Sequence, residues 1–126
     1  MRREVVKFLL NLLEKKMRFT KKGNIYRIIR LTGSQDNILG VSFGEDNKME
    51  IVEWPIEEGE KIRTSKKEVL EQIISCLESV NQSLGTNYKL SKIYFLPSDR
   101  ASNSVYTLLI FNLIRHYHDG KEFKEI

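Results

Sequence analysis

The chain predicts an α+β fold: a two-layer α/β sandwich of element order α-β-β-β-α-β-α, with an antiparallel three-strand meander plus a fourth strand and the helices mainly on one face. Three observations carry that expectation. Apolar residues recur at spacings of three and four in three stretches, and between residues 25 and 54 they give way to short β-branched or alternating runs. Turn-forming or capping residues stand at most changes of period. With 126 residues there is material for one domain, so residues 1–126 are read as a single α/β unit.

The first helical stretch falls at about residues 3–17, where Val5, Phe8, Leu9, Leu12 and Leu13 share a face and Lys7, Asn11, Glu14 and Lys15 lie between them. The run Ile25–Thr32 is rich in β-branched residues and ends at the turn formers Gly33-Ser34-Gln35-Asp36-Asn37. Within Ile38–Phe43, the residues Leu39, Val41 and Phe43 alternate onto one face. Gly44-Glu45-Asp46-Asn47 then offers a hairpin turn into Met49–Trp54, which Pro55 ends. Ser65, with Glu68 three residues on, has the form of a capping box. The helix it starts carries Leu70, Ile73, Ile74, Leu77, Val80 and Leu84 on one face and stops at Gly85. Ile93–Leu96 reads as a buried fourth strand closed by Pro97. The last helix starts near Ser102 or Ser104 and ends before Gly120. It is apolar on nearly every side, so it must be covered twice, by the sheet and another helix or by an interface, which keeps a homodimer open.

Composition narrows the function. With 40% hydrophobic and 30% charged residues the chain is an ordinary globular sequence, and its one cysteine, Cys76, excludes an internal disulfide and multi-cysteine metal sites. Beside the apolar face of its helix, Cys76 reads as a buried, inert thiol. The Met1-Arg2-Arg3 start has the basic-then-apolar order of a secretory leader. Lys7, Asn11, Glu14, Lys15 and Lys16 interrupt it, however, and no run reaches the roughly 18 apolar residues of a membrane span, so the expected location is cytoplasmic.

Catalytic and cofactor signals are sparse. His116 and His118 stand two apart, which on a helix turns them about 200° from each other, whereas helical zinc pairs stand four apart. At a helix end they suit the terminal carbonyls. No metal ligand set, catalytic set or cofactor motif is therefore assigned. The order helix, meander, helix, strand resembles the core of the restriction-endonuclease-like nucleases, whose pattern sets a (D/E)-x-K triplet on the third strand. Glu50-Ile51-Val52 and Glu53-Trp54-Pro55 both lack the lysine, so that metal-dependent chemistry is not expected. The turn from strand to last helix, with Ser98, Asp99, Arg100, Ser102 and Asn103, has the position of an anion or small-ligand site. The same residue types are ordinary helix caps, and Asp99 brings the wrong charge. An enzyme or ligand-binding reading would join this turn to His116 or His118.

Charge is the strongest signal. Net charge is +4, yet residues 1–30 hold ten Lys and Arg against two acids, residues 31–60 one against eight, and residues 61–126 ten against seven. Two partner classes follow. A nucleic acid would use the basic block, with Arg2, Arg3, Lys15, Lys16, Arg18, Lys21 and Lys22 on phosphates. A basic protein would use the acidic block, Glu45, Glu50, Glu53, Glu57, Glu58 and Glu60 around Trp54, unless that tryptophan is core. The leading expectation is a non-catalytic protein-binding module, an immunity- or antitoxin-like inhibitor of a nuclease-type toxin. A basic substrate cleft is the complement such an acidic patch requires.

Overall fold

A computed structural model of the chain describes residues 17–31, 36–45, 48–99 and 104–126. It is a mixed α+β fold, a six-stranded sheet with two helices. The strands are β1 (Met17–Lys22), β2 (Ile25–Arg30), β3 (Asn37–Phe43), β4 (Glu50–Glu53), β5 (Leu90–Phe95) and β6 (Lys124–Glu125). The helices are α1 (Lys66–Leu84), between β4 and β5, and α2 (Val105–His118), between β5 and β6. The helix expected over residues 3–17 lies outside the described residues except for Met17, which opens a strand.

The sheet order is β4-β5-β3-β2-β1-β6. An antiparallel meander is present, but it consists of β1, β2 and β3. Met49–Trp54 was expected to pair with β3; instead β5 occupies that place antiparallel to β3, and β4 pairs parallel to β5 at the edge. The reason is burial. Ile93 and Phe95 are fully buried and demand neighbours on both sides, whereas Glu50 and Glu53 tolerate an edge. The sequence reading also missed β1, whose Arg18, Lys21 and Lys22 obscure an alternation of Met17 and Phe19. Its signal was the two-residue Gly23-Asn24 connection to β2, with Gly23 at φ +60°.

One sheet face carries the core. Phe19, Tyr26, Ile28, Leu39, Val41, Ile93 and Phe95 meet the helices there, as the rings of Phe95 on Tyr106, Tyr26 on Tyr117 and Phe19 on His116 show. Helix α2 is covered by this face and by α1, which accounts for its all-round apolar surface: Tyr106, Leu109, Ile110, Leu113 and Ile114 are all fully buried. At the start of α1 the Ser65 hydroxyl accepts from the Glu68 N–H at 3.2 Å and donates to Glu68 Oε1 at 3.1 Å. Gly85, at φ +66°, ends the helix with its N–H on the Asn81 carbonyl. Cys76 is buried and its Sγ lies 3.4 Å from the Thr107 carbonyl.

Helix α2 starts after Ser104, as expected, but is capped by another residue. Ser104 occupies the N-cap position at φ +69°, outside the extended conformation in which a cap hydroxyl reaches the first turn, and its side chain makes no cap bond. Gln72 of α1 takes the role, its Oε1 accepting from the N–H groups of Tyr106 at 3.0 Å and Thr107 at 3.3 Å.

The opposite sheet face holds Ile25, Ile29, Ile38, Val52, Tyr94 and Trp54, none of which belongs to the buried core. Trp54 stacks on Tyr94 with ring centroids 5.8 Å apart and lies over Gly40. A Cβ at Gly40 would stand 3.0 Å from Trp54 Cη2 and 3.2 Å from Ile25 Cγ2.

Two outcomes follow from this packing. Replacing Gln72 by Ala strands two N–H groups at a buried helix end and should cost about 1–3 kcal/mol in urea unfolding. Gly40→Val should destabilise by about 1–3 kcal/mol. It should also red-shift the emission of Trp54, the chain's single tryptophan; unchanged emission would show that the indole does not lie over Gly40.

Candidate functional site

The acidic residues divide along one edge of the sheet. Glu50 and Glu53 lie exposed on β4, on opposite faces, because strand residues alternate. Glu50 shares the face opposite the described helices with Lys92 and Val52, and Glu53 lies on the helix side beside Phe95. Past the end of β4, Glu57, Glu58 and Glu60 form an exposed turn in which Glu60 Oε1 accepts from the Glu57 N–H at 2.7 Å, while Gly59 takes φ +90°. Glu45 is at the other end of the edge, after Gly44, whose N–H reaches the Lys89 carbonyl at 2.9 Å. The acidic set is therefore a line along β4 rather than a ring around Trp54. The indole is half-buried on the face opposite the described helices, reaching inward from β4 to Gly40 of β3 and outside the helix-side core.

The basic residues of β1 stand toward the far edge, inside the short β6. Four strand spacings, roughly 19 Å, separate β4 from β1. Among the described residues, Arg18, Lys21 and Lys22 thus stand across the sheet from Glu50 and Glu53. Arg18, Lys21 and Lys22 gain neighbours from the other end of the sequence, because β6 pairs parallel with β1 and brings Lys124 opposite Thr20. Lys21, Lys121, Glu125, Tyr26, Tyr117 and Phe123 line a shallow cleft of about 320 Å³, and the Lys21 ammonium sits 4.9 Å from the Tyr26 ring centre. Arg2, Arg3, Lys15 and Lys16 lie outside the described residues.

The histidines diverge. His116 stacks flat on Phe19 at 3.6 Å, and its Nε2 meets the Glu122 carbonyl at 2.6 Å, while His118 Nδ1 meets the Tyr88 hydroxyl at 2.8 Å. These partners lie outside α2, so the expected bonding to the helix's own terminal carbonyls is corrected: His116 fastens the C-terminal segment and His118 the connection into β5. Among the described residues no group of three His, Cys, Asp or Glu side chains is placed to hold a metal.

The strand-to-helix turn is described only in part, since Arg100, Ser102 and Asn103 lie outside the described residues. Its described half is a structural staple. Pro97 accepts backbone bonds from Arg63 and Thr64, the Thr64 hydroxyl donates to the Asp99 carbonyl at 2.9 Å, and Asp99 Oδ2 accepts from the Ile38 N–H at 3.1 Å. Two loops and the start of β3 meet there. The amides of Tyr106 and Thr107, which an anion would need, are already held by Gln72. Burial pushes the Asp99 carboxyl up to about 6, the Ile38 N–H opposes this, and the negative charges of Asp36 and Glu60 add to it. The Tyr106 hydroxyl is fully buried without a well-formed hydrogen bond, and burial and then Asp99 push it up to about 12. At about 1.5 Å rise per residue, the ends of the 14-residue α2 are roughly 20 Å apart, so turn and histidines do not form one site.

Comparison with protein-family models, with curated proteins and with solved structures finds no match for this chain. No helix among the described residues is long and apolar enough to cross a membrane.

Asp99 sets a pH dependence whose sign is opposite to that of a paired carboxylate. Its folded pKa, about 6, lies above the unfolded value of about 3.9, so the folded state binds the extra proton between them. Its stabilising effect is complete below about pH 4 and is lost as pH rises through about 6. Asp99→Asn keeps an acceptor for Ile38 and removes the charge, so thermal unfolding across pH 4–7 should show a flatter profile and a higher Tm at neutral pH. An unaltered slope would show that Asp99 does not set the pH dependence.

Proposed function

We propose that this chain is a non-catalytic protein-binding module that docks its acidic edge on a basic protein surface, as an immunity- or antitoxin-like inhibitor of a nuclease-type toxin would. The observation that carries the reading is the sheet order. It sets Glu50 and Glu53 on an edge strand and continues them into Glu57 and Glu58, all exposed, with the basic β1 four strands away. An enzyme that cleaves nucleic acid presents a cationic cleft, and a line of carboxylates both steers approach to it and competes for the phosphate positions. Trp54 and Val52, half-buried on the face that the described helices leave uncovered, offer the apolar anchor that such an interface needs.

A second reading is supported by the cleft at the other edge. Lysines interleaved with Tyr26, Tyr117 and Phe123 combine phosphate attraction with stacking surfaces, the pairing used for single-stranded nucleic acid.

Replacing Glu50, Glu53, Glu57 and Glu58 together by Lys separates the two. Under docking through the acidic edge, a stoichiometric basic partner that co-purifies with the parent chain is lost from the variant, and its association rate with the parent falls as salt is raised. A complex that survives the four reversals would show that the acidic edge is not the docking surface. Retention on single-stranded DNA or RNA that disappears on reversing Lys21 and Lys121 would instead support the second reading.

A further inference from the structure

The two edges of the sheet are finished differently. At the β1 edge the chain supplies its own cover: β6 pairs with Thr20 and Lys21, and the Ile126 N–H donates to the Lys21 carbonyl at 3.1 Å. At the β4 edge no strand among the described residues lies outside Glu50–Glu53. The orientation of its backbone follows from one bond. The Trp54 N–H donates to the Phe95 carbonyl at 2.8 Å, and in a parallel ladder alternate residues face the same neighbour. Glu50, Val52 and Trp54 therefore direct their N–H and C=O groups at β5, and Ile51 and Glu53 direct theirs outward.

The geometry points to strand addition at this edge: an extended segment of the partner pairs with the outward N–H and C=O groups of Ile51 and Glu53 and continues the sheet. This inference rests on the acidic-edge reading above and specifies its occupant. Residues opposite one another in paired strands share a face, so the side chains of β4 dictate those of the added strand. A basic residue belongs opposite Glu50 and another opposite Glu53, with apolar residues between them opposite Ile51 and Val52. Ile51 already packs against the core, and Val52 lies on the face opposite the described helices near Tyr94. The segment that fits is basic–apolar–apolar–basic, flanked by polar residues. A second copy of this chain is a poor occupant, because it would add two more glutamates to a four-residue edge.

The test uses a short capped synthetic peptide with Lys-Val-Ile-Arg at its centre, the same peptide with Glu at both basic positions, and two N-methylated forms that block alternate sets of amides. With the whole protein, the parent peptide should bind and slow amide hydrogen exchange at Ile51 and Glu53, with Val52 and Trp54 already protected by β5. One methylated set should weaken binding by roughly tenfold, the scale of two lost backbone hydrogen bonds, and the other set should leave it unchanged. The Glu-substituted peptide should not bind. If the peptide binds and is lost on Glu50→Lys with Glu53→Lys, but both methylated sets behave alike, strand addition is overturned while the acidic docking surface stands. If the methylation asymmetry holds but charge reversal leaves affinity unchanged, strand addition stands and the acidic reading fails. No peptide binding, or slowed exchange confined to other strands, overturns strand addition.

Discussion

The burial of α2 between the sheet and α1 governs the rest of the structure. Five of its side chains, Tyr106, Leu109, Ile110, Leu113 and Ile114, are fully buried, and each contributes on the order of 1.5–3 kcal/mol, against about 1 kcal/mol for a helix cap. Position is therefore set by packing, and the backbone at the helix ends is satisfied afterwards. That order of priorities explains why the first amides of α2 are capped across the helix pair by Gln72 and not by Ser104. It also explains why the polar end of α2 delivers His116, Tyr117 and His118 into an aromatic array with Phe19, Tyr26, Phe43, Tyr88 and Phe123.

The same constraint acts through the sheet. The most deeply buried strand residues, Ile28, Leu39, Val41, Ile93 and Phe95, lie under the helices, which requires β2, β3 and β5 in the centre. The charged strands are left for the periphery, β4 at one side and β1 at the other. Among the described residues, the separation of the β4 glutamates from the cations of β1 is thus a by-product of core formation. Trp54 belongs to the acidic side, held over Gly40 on the face that the described helices leave uncovered.

Local chemistry was legible wherever it was self-contained. The capping box at Ser65 and Glu68, the Gly85 stop, the β-branched run of β2 and the alternation of β3 each depend on neighbours a few residues away, and each was read correctly. Three features were not legible. The strand character of Met17–Lys22 was hidden because its pairing supplies what its composition does not. The pair Lys124–Glu125 is too short to carry any pattern. The side-chain cap from Gln72 joins residues 34 positions apart. For the acidic residues, their identity and exposure were readable, but their alignment along one open edge was not.

What the sequence alone determined is the elements β2 to β5 and the two described helices, with most of their apolar positions, and the block pattern of charge along the chain, because periodicity, caps and composition are short-range properties. Only the tertiary structure decided which strands are central and which are edges. Adjacent runs such as Ile38–Phe43 and Met49–Trp54 look like a hairpin locally, yet β5, four dozen residues later, takes the place beside β3. The gain from burying Ile93 and Phe95 on both flanks exceeds the chain-entropy advantage of a short hairpin, since loop-closure cost rises only logarithmically with length.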